Sequence, residues 1–408
     1  MAKNDIYGVK KLRKIQLGKE TVAGTPVAPT TIWRGTGTLA DNRVVSRPPE
    51  DVGYLVDVNR GYIASTGSTL SLAGVATFEQ FPIFLESGVK LVTPAKDGAG
   101  SGYISVYPLP TIAANTIKTR TVEAGDNQEV ETAAYMFTKE ITLTGTAKQA
   151  VQLAVVMEGR SAEPVVYSAS CAFILATKKI TDAGSGLAIF TTGMSIRVSG
   201  TVNNDGIYTV ATGGVAGEIV TTEALATESA VACTIEQVFT AAATLPAVEE
   251  ILYNLSHIYV DDVSGTLGAS EITNTMMGFS WKATGLNESQ STGGGRLDLA
   301  FLKTPSPEAS LEFTLEWNGK ATAERRKAKL CTPRKLRLKF EGSSFAVAGT
   351  TYSKKTILID GAGMWETFKV LDEQNGDDIV KATFVFNFDA TAAIFSQITV
   401  VNALPATL

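Results

Sequence analysis

The stretch RKLRLKFE, from Arg334 to Glu341, alternates charged and apolar side chains without a break. Successive side chains of an extended chain point to opposite faces, so a period of two indicates a β-strand with one buried face. Leu336, Leu338 and Phe340 share one face and are predicted to lie in the core. The opposite face is charged and comprises Lys335, Arg337, Lys339 and Glu341.

This strand ends a basic run. Residues 320–339 contain nine Lys or Arg and one acid, Glu324, in a chain whose formal net charge is −5, so charge is segregated along the sequence. Basic side chains on a helix and a strand could follow a phosphate backbone. The pI of about 5.3 argues against a dedicated nucleic-acid binder, and the nearby aromatic Phe340 belongs to the apolar face.

We therefore expect the basic segment to meet solvent or an acidic loop of another copy, because segregated charges set orientation at interfaces. The acidic loops are residues 123–131 and 372–378. The candidate interface residues are Arg325, Arg326, Lys327, Lys335, Arg337, Lys339, Glu123, Glu129, Asp377 and Asp378.

Length and composition indicate a globular protein. The 408 residues are 44% hydrophobic and 19% charged, which is enough for two or three packed cores. The three cysteines are far apart, so neither a disulfide framework nor a zinc site is expected. Lysines and arginines interrupt every apolar run of the N-terminal residues, and no stretch approaches the roughly 20 apolar residues of a membrane span. We expect synthesis in a reducing cytosol and no membrane anchor.

The chain is predicted to be mainly β, because short alternating runs are separated by turn residues throughout. Two helices are expected, over residues 77–90 and 322–330; the first starts near Gln80 if Pro82 lies in its first turn and is kinked at Pro82 if it does not. Residues 178–238 have the spacing of a separate small β-domain, with short strands that include LAIF at 187–190.

Several further segments have distinct patterns. Residues 18–40 contain prolines and have no period, which predicts an extended arm. Residues 41–66 are irregular, and a loop of this length is usually functional or reaches a partner. Among the later strands, one is predicted at 297–301.

No pattern in the sequence indicates catalysis. Phosphate-binding loops and dinucleotide fingerprints are absent. His257 is the sole histidine, and a dyad of it with Cys331 is far less expected than a structural role. Pairs such as Asp261-Asp262 are adjacent on a strand and point to opposite faces, which makes a carboxylate hydrolase the weakest alternative. We expect no catalytic residue, cofactor or metal.

Six segments of the chain, taken in order, form a recognisable set: GKETVAGTPVAPTT (18–31), GTGTL (35–39), TFEQFPIFLESG (77–88), RKLRLKFEG (334–342), LIDGAGMWE (358–366) and ITVVNALPA (398–406). Together they resemble the major tail tube protein of long-tailed, siphovirus-like bacteriophages. Within the small β-domain, IRVSGTVNNDGIYTVA at 196–211 is similar to a small β-domain of phage tail proteins.

The resemblance implies a β-sandwich tube fold with one or two flanking helices and an inserted small all-β domain. It implies a virion protein, made in the bacterial host cytoplasm, whose hexameric rings stack into a tube. Its partners would be other copies, the tape-measure protein, tail-end proteins and, transiently, double-stranded DNA passing without specific binding.

In this interpretation residues 1–177 and 239–408 form the tube domain with an extended N-terminal arm, and 178–238 lies on its outer surface. An acidic chain would suit a channel through which DNA slides. The alternative is a surface adhesion module whose insert binds a host glycan.

Overall fold

A computed structural model of the chain describes residues 7–55, 60–369, 372–374 and 376–408. Two α-helices occur in these residues, α1 (Phe81–Gly88) and α2 (Gly319–Lys329). The strands of the first half are β1 (Lys14–Lys19), β2 (Thr31–Ile32), β3 (Thr36–Asp41), β4 (Val44–Ser46), β5 (Tyr62–Ser65), β6 (Ser68–Val75), β7 (Ala95–Lys96), β8 (Tyr103–Pro108), β9 (Arg120–Gly125), β10 (Val130–Thr146), β11 (Gln152–Gly159), β12 (Glu163–Pro164), β13 (Val166–Ile174), β14 (Lys179–Asp182) and β15 (Ser195–Ser199). The remaining strands are β16 (Gly206–Val215), β17 (Glu218–Thr221), β18 (Glu228–Val238), β19 (Ser256–Asp262), β20 (Met276–Thr284), β21 (Glu288–Gln290), β22 (Phe301–Lys303), β23 (Glu308–Glu316), β24 (Arg334–Ser344), β25 (Lys354–Phe368), β26 (Asp372–Gln374), β27 (Asp377–Phe386) and β28 (Ser396–Asn402).

The main body is a large antiparallel sheet that closes into a barrel, and two long strands make the closure possible. The first part of β10 pairs with β9, and its second part pairs with β11 and β20. The change of partner occurs at a bulge that contains Tyr135, whose φ of 60° bends the strand. In the same way β25 pairs first with β24 and β28 and then with β27. At this crossing a Cβ on Gly363 would lie 2.0 Å from the carbonyl oxygen of Val385, so only glycine fits.

Helix α1 lies inside the body rather than on its surface. All eight of its residues are buried, and Phe84 meets Trp33 edge to face at 5.3 Å between ring centroids. The helix begins after Gln80, whose N–H donates to Thr77 Oγ1 at 3.2 Å, and Pro82 lies in its first turn, which is one of the two alternatives that the sequence leaves open. Its buried Glu86 is paired with the equally buried Arg120 at 2.6 Å.

Residues 18–40 do not form the arm predicted for them. β1 pairs with β2 and β9, so this segment belongs to the sheet. Trp33 is buried, and the carboxylate of buried Glu20 accepts hydrogen bonds from the backbone N–H groups of Gly24 and Tyr135. Buried side chains and strand pairing therefore hold residues 18–40 in the main body, although this stretch has no regular hydrophobic period.

The second unit is a closed barrel of β13, β14, β17, β16, β15 and β18, with its own apolar core. We call it the small barrel, residues 166–238. Its sheet starts at Val166, before the boundary at 178 drawn from the sequence, because β13 pairs with both β14 and β18 and closes the barrel. LAIF is not a strand here, since Leu187–Ile189 form a 3-10 turn that buries Leu187 in the core.

The mainly β fold with two helices is confirmed, and so is the alternation of β24. Leu336, Leu338 and Phe340 are fully buried, which stabilises the fold by about 1.5–3 kcal/mol for each side chain. The predicted strand at 297–301 is wrong in extent, because pairing with β21 begins only at Phe301. Neither described helix is both long enough and apolar enough to cross a membrane.

Candidate subunit interface

The charged face of β24 is neutralised largely within the chain. Arg337 forms two parallel hydrogen bonds with Asp360, of 2.7 and 2.8 Å, and Lys339 pairs with Glu341 at 2.5 Å. Lys335 donates to the carbonyl oxygen of Gly265. Burial raises the pKa of the Asp360 carboxyl, and the adjacent guanidinium opposes that rise. These three basic residues are thus already engaged by the protein's own acceptors.

Arg334 at the start of this strand is buried, although the charge pattern alone does not reveal it. Its guanidinium contacts both carboxylate oxygens of Glu324, at 2.8 and 3.2 Å, and also reaches Asp262. Trp365 Nε1 donates to the same Glu324 carboxylate at 3.0 Å. The residue shares the parity of Leu336, which is the sequence signal that places it on the inward face.

Helix α2 presents the other three basic candidates in different ways. Asn318 caps it, its side-chain oxygen accepting from the N–H groups of Lys320 and Ala321. Arg325 lies over the Trp317 ring at 5.2 Å. Lys327 lies 3.7 Å from Asp262. Arg326 is exposed.

The acidic candidates do not form one surface. Glu123 is buried and joins the two barrels: its carboxylate accepts from Gln237 Nε2 at 2.8 Å and from the N–H and hydroxyl of Thr240 at 2.9 and 2.7 Å. Burial raises the pKa of this carboxyl, which its hydrogen bonds partly offset. Glu129 is exposed at the turn between β9 and β10.

The remaining acidic pair lies near α2 of the same chain. The carbonyl oxygen of Asp378 accepts from the N–H of Trp317 at 3.0 Å, and the Asp378 side chain is exposed. This backbone contact joins Asp378 to Trp317, the residue whose ring lies under Arg325. The side chain of Asp377 lies outside the described residues.

A different surface is left uncovered by the chain. β4 and β5 form a two-stranded sheet that, among the described strands, pairs with no other. Val45 and Tyr62 are 54% and 57% exposed, and Val44 and Ile63 are also exposed. Isolated hairpins are only marginally stable in water, and exposed apolar patches mark interaction sites. We call residues 42–66 the apolar hairpin; of these, 56–59 are not described.

A cleft of about 990 Å³ lies beside β3, the strand that precedes this hairpin in the chain. β3 lines it together with residues 71–73 of β6; β3 pairs with β6 on one side and among the described strands has no partner on the other. The cleft is also lined by Lys10, Arg13, Lys14 and, on the β9–β10 turn, Glu129. An open strand edge beside a cleft suits an added strand. Of the ten predicted interface residues, Glu129 lines this cleft.

Other arrangements that could support chemistry are limited. No cluster of three or more His, Cys, Asp or Glu suited to a metal occurs among the described residues. His257 Nδ1 contacts Glu271 at 2.7 Å. Asp261 and Asp262 face apart as expected, because Asp261 accepts N–H groups of the 268–270 turn whereas Asp262 meets Arg334. Comparison with models of protein families and with curated proteins finds no match to the chain.

Proposed function

We propose that the chain is a structural subunit that assembles with copies of itself into hexameric rings, stacked as the tail tube of a long-tailed bacteriophage. The observation that supports this most directly is the apolar hairpin. It exposes Val44, Val45, Tyr62 and Ile63 on a ribbon that no third described strand covers. Burying such side chains against another copy stabilises the assembly by about 25 cal/mol per Å².

The open edge of β3 gives a second contact for the same assembly. Its free N–H and C=O groups can pair with an extended segment of a neighbouring copy, and the cleft beside it has room for that segment. Basic Lys10, Arg13 and Lys14 and acidic Glu129 in the cleft would set the direction and register of the segment.

The small barrel fits an outward position in this assembly. It has a separate core and meets the main body around Glu123, so it can project without interrupting the large sheet. The formal charge of −5 suits a lumen that first houses the tape-measure protein and then lets double-stranded DNA pass. In the proposed role the chain forms the wall of the tube and catalyses no reaction.

Electron microscopy of the purified protein tests this proposal. We expect negatively stained rings or tubes at high protein concentration, and sedimentation that increases with concentration. A chain that stays monomeric over the whole accessible range of concentration and salt would contradict it.

A variant that lacks the hairpin tests the proposed contact directly. Because Asp41 pairs with Ser68, a short Gly-Ser turn can replace residues 43–64 and leave β3 and β6 joined. This variant should fold and remain monomeric.

The glycan-binding alternative stays a prediction. Loss of glycan-array binding on removal of the insert would favour it. Removal should begin at Val166, because a cut at 178 would leave β13 without the strands with which it pairs.

A further inference from the structure

Two of the three cysteines face the interior of the small barrel from neighbouring strands. Cys171 is on β13 and Cys233 is on β18, which pair antiparallel. Both side chains belong to the apolar core, with exposed fractions of 0% and 6%. Cys331, at the end of α2, is exposed and belongs to the other body.

The register makes the two cysteines diagonal neighbours on one face of the sheet. Cys171 lies opposite Val231, and Cys233 lies opposite Ala169. Interaction between the two thiols lowers the pKa of Cys233 and raises that of Cys171. Cys233 is the more accessible of the two sulfurs, so it is the one that a small oxidant meets first.

We propose that Cys171 and Cys233 form a reversible disulfide by exchange with a small disulfide such as oxidised glutathione. The Cys233 thiolate attacks one glutathione sulfur, forms a mixed disulfide and releases one glutathione thiolate. The Cys171 thiol then loses its proton and attacks Cys233 Sγ, releasing the second glutathione. The two protein thiols lose two protons and two electrons in total, and glutathione disulfide is reduced to two glutathiones.

The bond requires a local movement of the backbone. Diagonal partners in an antiparallel pair have Cα atoms about 7–8 Å apart, whereas disulfides span about 4.4–6.8 Å. A small shift of β13 against β18 is thus needed. The ladder between these strands has an irregularity directly after Cys171, between Cys171 and Phe173, where such a shift is least costly.

The bond would join the first and last strands of the small barrel. The chain enters the barrel on β13 and leaves it on β18, so the link ties the two ends of residues 166–238 together. A cross-link that closes a long loop restricts the unfolded chain most. Oxidation should therefore make the small barrel more resistant to unfolding and proteolysis, whether or not the protein assembles.

The test uses full-length Cys331→Ser protein, in which only the pair remains. The protein is incubated folded with oxidised glutathione, quenched with acid, and examined by thiol titration, intact mass and non-reducing peptide mapping. We expect both thiols to disappear together, the mass to fall by two hydrogen atoms, and peptides containing Cys171 and Cys233 to be linked. Dithiothreitol should restore both thiols.

Wild-type protein provides an internal control, because exposed Cys331 should form a glutathione adduct under the same conditions without cross-linking. The proposal is overturned if Cys331 reacts while Cys171 and Cys233 remain titratable thiols, or if Cys233 stops at a stable glutathione adduct. Limited proteolysis of the oxidised and reduced Cys331→Ser protein gives an independent measurement: equal rates of cleavage within residues 166–238 would contradict the stabilising link.

Discussion

β24 and the apolar hairpin differ in whether their side chains have partners within the same chain. β24 bears a dense row of charges, yet Arg337, Lys339 and the buried Arg334 all have acidic partners in the same chain. The apolar hairpin has six charged residues among its 25, scattered rather than alternating, yet Val45 and Tyr62 remain in water. A conspicuous sequence pattern is therefore no guide to a free surface. Side chains that the folded chain leaves unpaired or uncovered indicate where a partner protein binds.

The largest effect is expected at Arg334. Changing Arg334→Met leaves the buried Glu324 carboxylate without its cationic partner, and breaking a buried ion pair costs about 3–5 kcal/mol. The free energy of unfolding, measured by urea titration, should fall by that amount. Lys339→Met on the same strand is the control, and it should change stability by less than about 1 kcal/mol because its ion pair is near the surface. Equal losses in the two variants would remove the distinction between the two faces of β24.

The next effect concerns the apolar hairpin. Val45→Ser with Tyr62→Ser should leave the unfolding free energy of the monomer within about 0.5 kcal/mol, because both side chains are exposed. Assembly should weaken by at least about tenfold, since each side chain contributes roughly 1.5–3 kcal/mol when fully buried. Sedimentation velocity over a concentration series measures the change.

A control changes two exposed apolar side chains to Ser on another surface. Val202 and Ile207 on the small barrel are 82% and 60% exposed, and the double change of these residues to Ser should leave assembly unaltered. If both double variants assemble like the wild type, the hairpin is not the contact.

A smaller effect is expected on α2. Reversal of charge at Arg325, Arg326 or Lys327 should weaken assembly if this helix meets an acidic loop of a neighbour. Arg326→Glu is the cleanest choice because Arg326 is exposed, whereas Arg325 stacks on Trp317. The change should be on the order of 1 kcal/mol or less and should diminish as salt rises. Assembly that is the same at low and high salt in both proteins would exclude this contact.

The smallest effect is a dependence on pH at Glu341. Hydrogen bonds from Lys339 and Lys354 lower the pKa of its carboxyl from 4.5 to about 2. A lowered folded-state pKa stabilises the protein above the unfolded value and loses that contribution as pH falls from about 4.5 towards 2. Wild type should thus exceed Glu341→Gln in unfolding free energy at pH 6 by less than about 1 kcal/mol, because solvent screens the pair. The difference should vanish near pH 2; a gap that widens on acidification would refute the assignment.

Local pattern was enough to predict much of the fold. The parity of RKLRLKFE places Leu336, Leu338 and Phe340 in the core, and the position of Pro82 sets the start of α1. These features depend on residues close in sequence. The packing of residues 18–40 depends on distant partners, such as Phe84 beneath Trp33, and no pattern within the segment encodes them.

The candidate interface was harder to predict from the sequence, because burial and exposure there also depend on residues that are distant in the chain. Glu123 is acidic and lies in a polar stretch, but Gln237 and Thr240, more than a hundred positions later, bury it. The length of residues 41–66 indicates a segment that is functional or reaches a partner, and this stays a prediction. The exposure of its side chains depends on the pairing of β4 with β5 and on the lack of a third described strand beside them.

The distribution of strand pairs also sets an order for folding during synthesis. β8 pairs with β28, so the large sheet cannot close until Asn402 has left the ribosome. The small barrel is contiguous and can complete its own core while more than a third of the chain is still untranslated. The small barrel, in the middle of the nascent chain, thus folds first. The strands of the large sheet that lie on either side of it pair only after the later ones have been synthesised. Until they meet, the edges of β8 and β25 are exposed, and this interval is when the protein most needs protection from aggregation.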